Sequence, residues 1–264
     1  MLVVACVGAI GAGLAATAAC SKSVKGEAYG LVHGAGYVGY ATVTIDKVDQ
    51  EKGMVKNVTL TEYCFPTQVP KTAKTDEAPA TYYEEVKYGE VTMTYDADAA
   101  TYMVGTQTIK EYFATPANCK AYVEAVNAGK VSVTVNGTAD YSVMTKAALC
   151  KDYNGYWTRQ DADGKDYSRW AWNRDNTVNY VKKNGVAALM GTTHDKSDKD
   201  PFNPEGNNVN YWQDATGVST GATWNDLNDL AKAANGGYYS YSMLIATAWT
   251  NAALELDPDL ANGN

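Results

Sequence analysis

Alternating apolar and polar residues mark two neighbouring strands near the start of the chain. From Tyr37 to Asp46 apolar side chains alternate with tyrosine and threonine, and the alternation resumes after Gly53, from Met54 to Leu60. A period of two places one side of each strand against a core. The pattern therefore predicts a two-stranded antiparallel meander.

The middle of the chain continues this pattern. Three more alternating stretches, each bounded by Gly, Asp or Asn, cover Glu90–Tyr95, Tyr102–Thr108 and Lys130–Asn136. Between the last two, Thr115-Pro116 provides a helix start and Gly129 a helix stop, which predicts one short helix. Two long stretches, residues 66–80 and 192–210, are rich in Pro or in Asp, Asn and Lys and are predicted to be irregular.

The last forty residues change to helical spacing. Leu227, Leu230, Ala231 and Ala234 share one helix face as far as Gly236-Gly237, and a second such pattern runs from Tyr241 to about Leu254. We therefore predict an α+β fold, in which a twisted antiparallel sheet packs against helices and the chain closes with a helix pair.

Composition narrows the range of partners. The 264 residues carry a net charge of −8, the sequence pI is about 4.8, and no run of Lys or Arg is present, which argues against nucleic acid as a partner. With 45% hydrophobic residues the chain can form a sizeable core. The 20 Tyr and 6 Trp supply rings with a polar tip, which suit a binding surface or a solvated sheet.

The first twenty residues are apolar or small and carry no charge, which is typical of an export segment. Thr17-Ala18-Ala19-Cys20 resembles the bacterial lipobox, in which the cysteine after the cleavage site carries a lipid, although Thr17 replaces the usual Leu and no basic residue precedes the segment. A retained membrane anchor and ordinary cleavage are the alternatives. We expect residues 1–20 to be a lipoprotein-type signal, residues 21–28 a tether, and residues 29–264 a single domain anchored outside the cytoplasm through Cys20.

Three cysteines remain after the signal. Cys64, Cys119 and Cys150 allow at most one intramolecular disulfide, and their spacing matches no zinc motif. We expect them to be structural. His33 and His194 have no paired ligands nearby, and the acidic stretch Asp195–Asp200 departs from the EF-hand spacing, so no metal site is predicted.

The most informative segment lies between Asp214 and Asp226. Small residues surround Thr223, and Thr223 with Asp226 fits a capping box, which places a hydroxyl where backbone N–H groups converge at a helix start. Gly221 and Ala222 leave room for a phosphate to approach the backbone. The alternative from these residues alone is an ordinary helix cap after a turn.

Thr220-Gly221-Ala222-Thr223 resembles the S/T-G-A-T signature of the FMN-binding domain family. That family includes flavinylated subunits of sodium-pumping quinone reductases and Rnf complexes, and lipoproteins of Gram-positive extracellular electron transfer. The resemblance implies covalent FMN, joined by a phosphoester to Thr223 by an FMN transferase that uses FAD as donor.

The resemblance covers three pieces of the chain. Residues 36–45 and 53–60 are similar to the family's first two strands, and a helix is expected after Thr223. Residues from about 62 to 213 form an insertion that short family members lack. One departure lies beside the motif, because the position where the family usually has Asp is Gly217, and Asp214 lies further back.

The resemblance further implies a membrane-anchored electron carrier outside the cytoplasm, rather than a classical enzyme, although a flavin-dependent reductase component is also open. A membrane quinol or NADH dehydrogenase would be the donor, and soluble flavin or metal would be the acceptor. The cofactor-binding residues expected are Thr220, Gly221, Ala222, Thr223, Trp224, Asp214 and Trp212, with the indoles positioned to stack on the flavin.

Three other interpretations of the sequence compete with this one. Gly34-Ala-Gly36-Tyr-Val-Gly39 matches G-x-G-x-x-G but precedes a strand, so it is predicted to be a turn and not a dinucleotide site. The rival function is a surface lipoprotein that binds carbohydrate or cell wall through the aromatic stretch 153–180. A third possibility is a structural subunit that has lost its flavin.

Overall fold

The computed structural model describes residues 22–32, 36–153, 158–160, 166–190, 194–195, 211–212, 215–219 and 241–262. Within these residues the fold is α+β, with antiparallel sheets packed against helices, as predicted. The strands are β1 (Val24–Val32), β2 (Tyr37–Ile45), β3 (Asn57–Cys64), β4 (Glu85–Tyr88), β5 (Val91–Asp96), β6 (Thr101–Val104), β7 (Gln107–Thr108), β8 (Val131–Val135), β9 (Thr138–Asp140), β10 (Thr158–Gln160), β11 (Asp166–Ser168), β12 (His194–Asp195), β13 (Tyr211–Trp212) and β14 (Ala215–Ser219). The helices are α1 (Lys47–Lys52), α2 (Ile109–Tyr112), α3 (Pro116–Asn127), α4 (Lys146–Leu149), α5 (Arg169–Asn184), α6 (Ala187–Met190) and α7 (Tyr241–Leu256).

A three-stranded antiparallel sheet, β1-β2-β3, lies at the centre of the molecule. The meander predicted for residues 37–60 is confirmed as β2 and β3, which pair from Tyr37↔Cys64 to Thr44↔Asn57. Their connection contains α1, which begins at a capping box between Asp46 and Asp49. The expected tether of residues 21–28 is wrong from Val24 onward, because those residues form the first half of β1 and pair with β2.

Helix α7 covers one face of the central sheet. Alternate residues of β1 and β2, such as Ala28 and Ala41, point to this face and share one hydrophobic core with Leu244, Ile245 and Ala248 of the helix. The approach is close, since a methyl group added at Gly26 would lie 2.0 Å from the Ala248 carbonyl oxygen. The small residues of β1 thus set how near the helix lies.

The opposite face of the central sheet carries a second core. Leu31, Val38 and Tyr63 pack there against Tyr122 and Val123 of α3. The same core extends to a six-stranded sheet of order β7-β6-β5-β4-β8-β9, which is built entirely from residues that follow β3. The expected insertion therefore supplies a sheet and helix of its own.

Several elements within this region agree with prediction and others do not. The helix expected between Thr115 and Gly129 is confirmed as α3, although Thr115 makes no side-chain capping hydrogen bond. The stretch 102–108, expected to be one strand, is a hairpin of β6 and β7, because Gly105 adopts a left-handed conformation at φ 60° and reverses the chain.

The second helix of the expected C-terminal pair is confirmed as α7, which begins at Tyr241. The first, predicted around residues 227–234, lies outside the described residues. The G-x-G-x-x-G match spans the connection between two antiparallel strands, and the Gly36 N–H donates to the Val32 carbonyl oxygen at 3.1 Å. This motif therefore joins a strand to a strand, as expected for a turn.

Candidate functional site

A carboxylate lies inside the core at the end of β3. Glu62 continues the alternation of Val58 and Leu60, so its side chain points toward α7 with theirs. Its register partner on β2 is Gly39, which brings no side chain to this position. Glu62 is fully buried, at 0% exposure.

Lys151 lies directly opposite Glu62. The Lys151 N–H donates to the Glu62 carbonyl oxygen at 2.9 Å, and the neighbouring pair Tyr63↔Cys150 forms an antiparallel bridge. This register places the two side chains on the same face. The Lys151 ammonium forms an ion pair with Glu62 and is 3% exposed.

Tyr241 completes the arrangement from α7. Its hydroxyl donates a hydrogen bond to Glu62 Oε1. Glu62, Lys151 and Tyr241 are called here the buried ionic cluster. The cluster joins β3, the segment at residues 150–151 that pairs with β3, and the first residue of the C-terminal helix at one point of the core.

Aromatic rings surround the ammonium of this cluster. Lys151 Nζ lies 3.7 Å from the ring centroid of Tyr37 and 5.2 Å from that of Trp170. Trp170 in turn meets Tyr241 edge to face, with centroids 5.7 Å apart. The rings exclude water from the ion pair.

Asp152 fastens helix α5 to the same region. One carboxylate oxygen of Asp152 accepts from Trp170 Nε1 at 2.8 Å and from the guanidinium of Arg174, and the other accepts from the Thr61 hydroxyl at 2.9 Å. Since Trp170 and Arg174 lie on α5 and Thr61 lies on β3, the carboxylate fixes the helix to the central sheet. Asp152, the residue after Lys151, thus holds together the elements that surround the cluster.

Burial makes the ion pair energetically costly unless further contacts stabilise it. Removing two charges from water costs several kcal/mol per ion, which a buried pair recovers only through mutual attraction and further hydrogen bonds. The cluster supplies these through the Tyr241 hydroxyl and the Tyr37 ring. It holds an amine, a carboxyl group and a phenol in contact in a buried position, an arrangement in which a proton can pass between neighbouring groups.

A second polar group lies on the outer part of the central sheet. The rings of Tyr29 and Tyr40 are stacked with centroids 4.5 Å apart, and both hydroxyls donate to the Glu27 carboxylate. The hydrogen bond from Lys25 is the main cause that holds the pKa of Glu27 below its ordinary value. Burial raises the pKa of Tyr29 and of Tyr40. Both side chains are therefore neutral phenols at neutral pH, and their rings are half buried on this part of the central sheet.

Cys64, Cys119 and Cys150 are buried and are not joined in disulfides. Burial raises the pKa of the Cys119 thiol to about 12 and that of Cys150 to about 11. The thiols of Cys119 and Cys150 are therefore protonated at neutral pH, which suits a structural role, because the thiolate is the reactive nucleophile.

Most of the residues expected to bind a cofactor cannot be placed. Asp214, Thr220, Gly221, Ala222, Thr223 and Trp224 lie outside the described residues, as does Cys20. Trp212 lies in β13, opposite His194 on one side and Ala215 on the other. Gly217, at the family's Asp position, lies within β14, and β14 packs alongside α5.

The aromatic stretch considered for the rival binding function is partly used inside the protein. Trp170 is 2% exposed and donates to Asp152, so its ring is not available to stack on a sugar. Residues 169–184 form α5, which the sequence analysis did not predict. Tyr153 is exposed, with the Lys146 ammonium 4.7 Å from its ring centroid.

The sequence analysis missed the buried ionic cluster. The signal for Glu62 was available, because a carboxylate in phase with Val58 and Leu60 on an apolar face requires a buried partner. Nothing along the chain indicated Lys151, whose pairing with Glu62 depends on how the insertion returns to β3.

Within the described part of the chain, no group of three or more His, Cys, Asp or Glu side chains is arranged to hold a metal ion. No helix among these residues is both long and apolar enough to cross a membrane. Comparison with protein-family models, with curated proteins and with solved structures finds no match to this chain.

Proposed function

We propose that the protein is an electron carrier outside the cytoplasm, with FMN attached through a phosphoester to Thr223. The observation that carries the proposal is the sequence Thr220-Gly221-Ala222-Thr223, which resembles the attachment signature of the FMN-binding domain family. The sheet strands that the resemblance requires near the start of the domain are β2 and β3.

The described neighbours of the segment support an attachment point near the sheet. Strand β14 ends at Ser219 and packs against α5, which is fixed to β3 through Asp152. The four residues from Ser219 to Thr223 can span at most about 14 Å. An FMN on Thr223 would therefore be tethered within that distance of the end of β14.

The chemistry of attachment needs only a hydroxyl and open backbone on the protein side. The Thr223 oxygen would form a bond to the FMN phosphorus of FAD while the pyrophosphate bond breaks and AMP leaves, with the hydroxyl proton passing to a base of the FMN transferase. Gly221 and Ala222 provide the low bulk that this approach requires. When bound, the isoalloxazine ring supplies one- and two-electron transfer.

The other named residues would position the ring. Trp212 lies in β13, next to β14, and Trp224 follows the attachment residue in sequence, and each indole would be a candidate to stack on the flavin ring. Asp214, in the short connection from β13 to β14, would take the place of the acidic residue that the family has at Gly217.

Location determines the partners in this proposal. A lipid on Cys20 would hold the domain at the outer face of a membrane, with a membrane quinol or NADH dehydrogenase as donor and soluble flavin or metal as acceptor. Because β1 begins at Val24, the segment that separates Cys20 from the folded part is short, and the domain would lie close to the membrane surface.

Co-expression with an FMN transferase tests attachment directly. The wild-type chain should gain the mass of FMN less one water and show flavin absorption after denaturation, because the bond is covalent. Thr223→Val should remain colourless and unmodified, while Thr216→Val, which replaces a threonine of β14, should be flavinylated like the wild type.

An unmodified wild-type chain, obtained with a transferase that modifies another S/T-G-A-T protein in the same cells, would contradict the proposal. Cys20→Ser should move the protein from the membrane fraction to the soluble fraction without changing flavin content. Retention on polysaccharide by a flavin-free wild-type protein would instead favour the rival binding function.

A further inference from the structure

We propose that Lys151 and Glu62 become joined by an intramolecular amide bond, so that the buried ionic cluster is the site of a self-catalysed isopeptide cross-link. The inference rests on the described residues of the core and is independent of flavin attachment. The cross-link is a covalent modification of the buried ionic cluster, which has no role in the electron transfer proposed above.

The two reacting groups, the Lys151 amine and the Glu62 carboxyl group, are already in contact. The Lys151 ammonium is paired with the Glu62 carboxylate, and the backbone hydrogen bond of 2.9 Å between the two residues fixes their side chains on one face. Groups held in this way react as if at very high concentration, with effective molarities of about 10⁵ M or more. Proximity therefore removes the main entropic barrier to amide formation.

The absence of water favours the amide over the separate groups. Glu62 is 0% exposed and Lys151 is 3% exposed, and the rings of Tyr37 and Trp170 lie around the amine. A buried environment penalises separate charges, and transfer of one proton from Nζ to Oε2 produces a neutral amine and a neutral acid. Bulk water favours the hydrolysis of an amide, whereas solvent has little access to this buried site, so the reverse reaction is disfavoured once the released water has escaped.

Tyr241 is placed to assist the carbonyl. Its hydroxyl donates to Glu62 Oε1, the oxygen that gains negative charge when the amine attacks. In the step, the Nζ–Cδ bond forms, the Cδ–Oε2 bond breaks, and Oε2 leaves as water with the acid proton and one amine proton. The amide oxygen that remains is Oε1, which keeps its hydrogen bond to Tyr241, and no oxidant or reductant is needed.

The position of the bond matches the organisation of the chain. Glu62 lies near the end of β3, and Lys151 lies where the inserted region returns to that strand. A bond between them closes residues 62–151, the first part of the expected insertion, into a covalent loop and fastens that part to the central sheet. Such closure reduces the freedom of the unfolded chain, as a disulfide does, but it does not depend on the redox conditions outside the cell.

Peptide mapping of the purified full chain tests the proposal. An isopeptide at Lys151 blocks trypsin there, so digestion should release residues 57–71 joined to residues 147–159, with a mass lower by one water than the sum of the two peptides. Lys151→Met should abolish the joined peptide. Lys120→Met, which removes an exposed ion pair with Glu124, should leave it unchanged.

The role of Tyr241 has its own test. Tyr241→Phe keeps the ring but loses the donor, so the joined peptide should form about a hundredfold more slowly after a pulse of synthesis, by analogy with the loss of one oxyanion donor. Equal rates would overturn the role assigned to Tyr241. Cleavage at Lys151 when the purified wild-type chain is denatured and digested with trypsin, with separate peptides 57–71 and 152–159, would overturn the cross-link. That result requires no variant to fold.

Discussion

Replacing Gly26 with alanine should force helix α7 away from the central sheet. An added Cβ would lie 2.0 Å from the Ala248 carbonyl oxygen and 2.4 Å from the Ala252 amide nitrogen. Both are backbone atoms of α7, so no side-chain rotation can relieve the clash. The helix or the strand must shift as a whole.

Gly39 provides a matched control on the same face. A Cβ there would meet Leu244 Cδ1 at 2.5 Å and Val32 Cγ1 at 2.8 Å, which are the ends of side chains that can rotate. Overpacking costs about 1 to 3 kcal/mol, and the rigid obstruction belongs at the upper end. We expect Gly26→Ala to lower the free energy of unfolding by about 3 kcal/mol and Gly39→Ala by about 1 kcal/mol.

Urea unfolding followed by tryptophan fluorescence measures both values, since Trp170 and Trp249 are buried in the core that α7 completes. For a chain of this size the corresponding falls in Tm are roughly 8 °C and roughly 3 °C. If Gly39→Ala proves as destabilising as Gly26→Ala, the helix does not approach β1 as closely as described, and the argument from backbone obstruction is refuted.

Three further predictions concern single interactions. Before Lys151 and Glu62 are cross-linked, their ion pair stabilises the fold, so Lys151→Met should lower the free energy of unfolding by about 3 to 5 kcal/mol relative to the uncross-linked chain because Glu62 is left buried without its cation, and adding Glu62→Gln should recover part of the loss in the same urea assay. Thermal melts should show that stability falls as the pH rises from about 9 to 11. The pKa of Cys150 is about 11 in the folded protein against an ordinary 9.0, so the unfolded chain loses the thiol proton at lower pH than the folded chain does. Cys150→Ala should reduce this fall in stability. Asp46→Ala removes the α1 cap and should cost about 1 kcal/mol, measured against the exposed Lys47→Ala as control.

Local patterns were sufficient where each residue's environment repeats along the chain. Alternation located β2 and β3 because one face of each strand lies against α7. A helix start and a helix stop located α3, and the spacing of apolar residues located α7. Strand β1 was assigned in part to a tether because its first half contains Lys25, Gly26 and Glu27, whose polarity and small size hide a strand that packs against a helix at close range.

Other features carry no periodic signal. Helix α5 is rich in Asn, Arg and Tyr and depends on Asp152 and β3 for its position, so its sequence alone favoured an exposed binding stretch. The hairpin of β6 and β7 was missed because a single left-handed glycine, Gly105, decides between one long strand and two short ones. In each case a contact with a distant residue, or one backbone angle, outweighs the local preference.

Local patterns predict the α+β class, the central meander, two of the helices and the S/T-G-A-T segment that makes Thr223 a candidate attachment residue. The meeting of Glu62 with Lys151 and Tyr241 is visible only in the folded chain. The physical reason is that burial in a shared core, unlike periodicity, depends on residues far apart in the chain, and a charge can be retained in such a core only where folding brings its partner to the same point.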